Sequence, residues 1–164
     1  MDEPPVSINA MREIWDGKAE FWDEQMGEGN LFHRELIGPA VERLLDITPG
    51  DNVLDIACGN GQLARRLASL GAHVVATDFS PQFLRLAEKR TAALPEIADR
   101  VEFREIDATD PAQLSTLGER CYDAVTCLMG LMDMPEIDPL FAAIPRLLRP
   151  GGRFVFAVQH PCFN

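Results

Sequence analysis

The sequence predicts a doubly wound α/β fold, a parallel sheet of about five strands with helices on both faces and an N-terminal helical cap. Two observations predict it. Short apolar runs alternate with amphipathic helical stretches from Asn52 to Gln159, the pattern of βαβ units. Turn residues mark the changes of period, at Gly71, Ser80-Pro81 and Pro150-Gly151-Gly152. The chain has 164 residues, 46% of them apolar. That suits one domain of the common size, roughly 100–200 residues, with a real core.

The elements follow in order. Residues 8–26 read as a helix capped by Ser7, with Met11, Trp15 and Trp22 at helical spacings. Residues 27–30 break it, and Asn30 caps a second helix over about 31–46 that Pro39 kinks or divides. Thr48–Asp51 is a turn. Val53–Ala57 is the first strand, Gln62–Leu70 a helix, and His73–Asp78 a buried strand. Ser80 and Pro81 then read as N-cap and first position of a helix reaching about Leu94. Val101–Ile106 and Cys121–Met129 are strands three and four. Asp138-Pro139 opens a helix that Pro150-Gly151-Gly152 ends, and Arg153–Gln159 is strand five. Residues 1–47 are taken as the cap and 48–164 as the core of a single domain.

Charge narrows the function classes. The formal net charge is −11, and residues 1–50 alone hold 11 acids against 4 bases. Such a surface repels phosphates, so neither nucleic acid nor an anionic membrane is expected as a partner. The four cysteines form no C-x-x-C pair and no zinc spacing, so no metal is expected. The acidic start does not look like a signal peptide, and the longest apolar run is too short to cross a bilayer. The expected compartment is the cytoplasm.

The chemistry concentrates in Val53–Gly61, between a strand and a helix. Gly59 and Gly61 let backbone approach a ligand without a Cβ in the way. Asp78 ends the next strand, where a carboxylate can accept from both ribose hydroxyls of an adenosine. Asp55 stands at the mouth of the first strand. It would repel a pyrophosphate but attract an ammonium or a sulfonium. The physical argument therefore favours S-adenosylmethionine over NAD.

At these residues the sequence resembles the class I S-adenosylmethionine-dependent methyltransferases, whose fold is Rossmann-like. Leu54–Gly61 resembles their first motif, and Val75–Pro81 their second, with Asp78 as the ribose acid. Glu105–Thr109 is similar to the third, which implies that Asp107 accepts from the adenine amino group and the Ala108 backbone meets the ring edge. Tyr122–Leu128 resembles the fourth strand, whose end faces the cofactor, and Arg149–Gly152 the turn before strand five. The resemblance implies cofactor contacts from Asp55, Ala57, Cys58, Gly59, Gly61, Asp78, Phe79, Ser80, Asp107, Ala108, Leu128 and Met129. It also implies methyl transfer with S-adenosylhomocysteine as product; transfer from a sulfonium is an in-line displacement, and the acidic charge balance points to a small-molecule acceptor. Arg34 is the candidate for the methionyl carboxylate, by its fork geometry.

There are two departures. Ala57 replaces the first glycine of the usual loop. The chain also stops just after strand five, where the family continues with a helix and two strands. A truncated or processed chain is expected, or one completed by a partner, and the open strand-five edge could pair two copies. A dinucleotide-binding oxidoreductase and a non-catalytic cofactor-binding module remain as alternatives.

Several side chains have two readings. Trp15, Phe21 and Trp22 pack the cap or offer a ring face to a sulfonium. His33 is read first as structural. His160, after strand five, is a candidate base or a loop histidine. Met129, Met132 and Met134 form a substrate wall or core. Cys58 has no base partner and is not read as a nucleophile.

Overall fold

The structure, a computed structural model, describes residues 7–160 and residue 162. Five parallel strands form one sheet: β1 Asn52–Ile56, β2 His73–Asp78, β3 Val101–Glu105, β4 Tyr122–Leu128 and β5 Leu148–Ala157, in the order β3-β2-β1-β4-β5. Strand β1 pairs with β2 on one side and β4 on the other. The strand order reverses there, which opens a crevice at the carboxyl ends of the strands. The doubly wound, Rossmann-like architecture is thus as expected.

The core strands are near-continuous apolar runs because both faces of the sheet are covered. Neighbours Val53 and Leu54 point to opposite faces and are both fully buried. Val53, Val74, Ala76 and Ala124 pack with Val41 and Leu45 of helix α2 (Gly38–Leu45) and with Ala64 and Leu67 of α3 (Gln62–Ser69). Leu54, Ile56 and Val125 pack on the other face with Leu114 of α6 (Pro111–Ser115) and Leu140, Ile144 and Leu147 of α7 (Asp138–Leu147). Helix α4 (Pro81–Ala92) and the short α5 (Pro95–Ala98) complete the set between β2 and β3.

Helix α1 covers Ile8–Met26, and Ser7 caps it by accepting from the Ala10 N–H. Asn30 caps the next helical stretch through the His33 N–H. That stretch is not uniform: His33–Ile37 is a π turn before α2 begins. Pro39 has no N–H to continue a 3.6-residue ladder, and one wider turn absorbs the break. Ser80 accepts from the Phe83 N–H, as an N-cap does.

One boundary is corrected. Strand β5 starts at Leu148, not Arg153. Leu148 already pairs with Tyr122, and the register then shifts so that Ala124 faces Arg153. The Pro150-Gly151-Gly152 segment is an irregularity within the strand pairing, not a stop before it.

Candidate functional site

The crevice at the strand ends holds a cavity of about 1170 Å3. That exceeds the usual range for ligand pockets, about 300–1,000 Å3, and leaves room for two ligands at once. Its floor is built from the ends of β1, β2 and β4: Asp55, Ala57, Cys58, Gly59, Asp78, Phe79, Leu128 and Met129. Asp107 and Ala108 follow β3, and His160 follows β5.

Asp55 is 2% exposed, and its Oδ2 has no hydrogen-bond partner among the described residues. Burial, and secondarily the charge of Asp78, push its pKa up to about 8. Asp78 is better held. Its Oδ2 accepts from the Gly59 N–H at 2.9 Å and its Oδ1 from the Ser80 N–H at 2.9 Å. Burial still raises its pKa to about 6 against those hydrogen bonds. A carboxylate has about four acceptor positions, so Asp78 fixes the glycine loop and keeps capacity for a ligand. Asp107 Oδ1 accepts from the backbone and hydroxyl of Thr109 at 2.8 and 2.7 Å. Burial pushes the Cys58 thiol well above its ordinary value.

The loop backbone is strained where it meets the cavity. Ala57 has φ 55° and Met129 φ 60°, both left-handed without being glycine. Such residues cost about 1–3 kcal/mol and cluster at functional sites. The ideal Cβ of Gly59 (φ 55°) would meet nothing within 4 Å, so this glycine does open onto free space.

Three expected site residues are not on the cavity wall. A Cβ on Gly61 would lie 3.0 Å from Ala87 Cβ and 3.2 Å from Phe103; this glycine serves helix packing rather than ligand approach. Ser80 is fully buried, donates its hydroxyl to Asp16, and acts on the site through Asp78. Arg34 lines an adjoining outer groove with Glu42 and Arg66, and not the cavity. His33, directly before it, lines both.

The N-terminal helices form the remaining wall. Trp15, Trp22 and Met26 of α1 line the cavity, as do Asn30, Phe32, His33, Leu36 and Ile37. Trp15 stacks on Trp22 and leans on Phe83 of α4, with centroids 6.2 Å apart in both pairs. Phe21 is 62% exposed and lies off the cavity. Met129, Met132 and Met134 all line it. His160 Nδ1 lies 2.9 Å from Cys162 Sγ.

Polar contacts fix α1 to the glycine loop, and sequence reasoning missed them. Asn60 donates to Asp23 Oδ1 and to the Gly27 carbonyl. Arg90 binds Asp23 at 2.5 and 3.0 Å. Arg65, only 2% exposed, donates to the Asn60 carbonyl and forms a fork on Glu28. Apart from Arg65 and Asn60, these partners lie 33 or more residues apart and leave no local pattern to read. At the other end Arg12 pairs with Glu105 at 2.7 Å.

Comparison with known proteins decides the family. Residues 53–152 match the family described as "Methyltransferase domain". The chain belongs to that family. A demethylmenaquinone methyltransferase of Clavibacter sepedonicus is 39% identical over 155 residues, 94% of this chain and 59% of that protein. A ubiquinone biosynthesis O-methyltransferase of Xanthomonas oryzae pv. oryzae (strain PXO99A) is 37% identical over 113 residues, 69% of this chain and 44% of that protein. The chain thus spans about half of the length of these curated relatives. Among solved structures, a geranyl diphosphate methyltransferase in complex with SAM superposes with TM-score 0.63 at 26% identity, covering 75% of this chain and 49% of that one.

Proposed function

We propose that this chain binds S-adenosylmethionine and transfers its methyl group, by in-line displacement, to a small apolar acceptor carrying a hydroxyl. The observation that carries the reading is Asp55. A buried carboxyl with an unpartnered oxygen at the cavity floor is costly unless a ligand supplies a cation or donor. The ammonium of a methionine moiety is such a group.

The other residues fit the same ligand. Asp78 would take the ribose hydroxyls, Gly59 the close approach, Asp107 and Ala108 the adenine, and Leu128 and Met129 the remaining wall. Bound here, the cofactor supplies an electrophilic methyl group on a sulfonium. The chain aligns and shields, and proximity is its main lever. Trp15 and Trp22 screen the floor from water, and a ring face suits a sulfonium.

The acceptor reading rests on the rim. Trp22, Phe32, Leu36, Met132 and Val158 line the cavity while each is more than a third exposed. Such a collar fits an apolar molecule. The quinone-related names of the relatives point to a phenol or quinol with an apolar body. The reading also includes a second copy of the chain paired through the free edge of β5. Sedimentation that shows a monomer at every concentration overturns that part.

Calorimetric titration of the chain with S-adenosylmethionine, S-adenosylhomocysteine and NADH tests the cofactor. The first two bind and NADH does not. Asp78→Ala weakens binding about 10- to 100-fold, the worth of hydrogen bonds to a charged group. NADH binding, or indifference to the substitution, overturns the reading.

A further inference from the structure

We propose that His33 is the general base of this site, with Nε2 taking the proton from the acceptor's hydroxyl while Asn30 holds the ring in the tautomer that leaves Nε2 bare. This rests on the methyltransferase reading above and adds the group that activates the acceptor.

The tautomer follows from one shared atom. Asn30 Oδ1 accepts the His33 backbone N–H at 3.0 Å. A backbone N–H only donates, so this atom is the amide oxygen and the amide orientation is fixed. The same oxygen lies 3.0 Å from His33 Nδ1. Two bare acceptors at that distance would repel, so Nδ1 carries the hydrogen. In a neutral imidazole the other nitrogen is then the acceptor. Burial lowers the pKa of the ring, which favours that neutral form. His33 lines the same cavity as Asp55 and Asp78, beside the apolar Phe32 and Leu36, where that cavity meets the outer groove of Arg34.

The backbone supports the placement. His33 opens the π turn, and its carbonyl accepts from the Gly38 N–H. A Cβ on Gly38 would lie 2.9 Å from that carbonyl oxygen. Turns of this kind occur often at functional sites. The step balances on the chain's own groups: the acceptor O–H bond breaks, its electron pair stays on oxygen, and the proton forms an N–H bond at Nε2. The imidazolium later returns that proton to water.

Two measurements on the full chain test this. The first is long-range 1H–15N correlation at about pH 8, where a neutral histidine is expected. His33 shows a protonated Nδ1 and an unprotonated Nε2; the opposite assignment overturns the proposal. The second compares His33→Gln with the wild type on catechol and on 4-nitrocatechol, whose hydroxyl is already ionised at that pH. Glutamine at this position is compatible with the helix start, and calorimetry checks that S-adenosylmethionine affinity is kept. Turnover of catechol falls about 100-fold or more and that of 4-nitrocatechol less than about tenfold, because an ionised acceptor needs no base. Equal loss on both phenols, or loss on neither, overturns the proposal. So does a wild type that binds cofactor and methylates neither phenol. A wild type that binds no S-adenosylmethionine sinks the underlying reading instead, and this one with it.

Discussion

Asp55 couples the stability of the chain to pH. Folded, it holds its proton up to about pH 8; unfolded, it ionises near 3.8. Between those values the folded chain binds more protons, so stability falls as pH rises. Asp78 adds to the lower part of that window, up to about 6. The thermal midpoint of the ligand-free chain therefore drops from pH 5 to pH 8, and Asp55→Asn flattens the upper half of the curve while weakening cofactor binding. A midpoint that rises over this range contradicts the assignment. A cation placed beside Asp55 favours its ionised form, so cofactor binding near pH 6.5 releases a proton, seen as a buffer-dependent heat. A second residue pair shares one methyl's worth of space. The Cβ that Gly130 lacks would sit 2.6 Å from Ala57 Cβ. Gly130→Ala alone is destabilising, Ala57→Gly is near neutral because relief of the left-handed backbone offsets its added chain entropy, and the double variant recovers at least about 1 kcal/mol in a denaturation cycle.

At the scale of elements, the hold on α1 is uneven. Glu28 is largely exposed while Arg65 is 2% exposed. Glu28→Gln costs about 1 kcal/mol or less in chemical denaturation, and Arg65→Met costs more, about 2–3 kcal/mol, because the Asn60 carbonyl loses its buried donor. Equal costs for the two would show that burial does not set the hierarchy. The N-cap signals at Ser7, Asn30 and Ser80 were legible because capping is local chemistry, decided within three residues. The π turn was legible only as a break at Pro39, since spacings near 3.6 and 4.4 residues cannot be told apart over a single turn. The position of His33 was not legible for the same reason: its partner Asn30 is local, but its place beside the cavity depends on that turn.

For the whole molecule, the sheet was legible because both faces are covered. Val53-Leu54 and Val74-Val75 put apolar side chains on neighbouring positions, as a strand covered on both faces allows and a half-solvated one does not favour. The acids of the site were legible because strand ends deliver them to one edge. The N-terminal wall was not, because its contacts to Asn60, Arg65 and Arg90 come from tertiary packing. The two free edges of the sheet differ among the described residues. β3 is five residues long and carries the Glu102–Arg104 ion pair, whereas β5 is ten residues long and carries Phe154 and Phe156, on whose rings Phe141 of α7 packs edge-on. Short, charged edges resist pairing and long apolar ones invite it. Phe156→Lys therefore lowers any self-association seen by sedimentation, and Glu102→Lys on the β3 edge does not.

Pinning α1 at both ends has a kinetic consequence. With that wall held down by Arg12, Arg65 and Arg90, the apolar collar is the way in, and whatever occupies the floor near Asp55 must arrive before the acceptor and leave after its product. On the methyltransferase reading proposed above, turnover is then compulsory in order. S-adenosylhomocysteine should inhibit competitively against S-adenosylmethionine, and the methylated product should not.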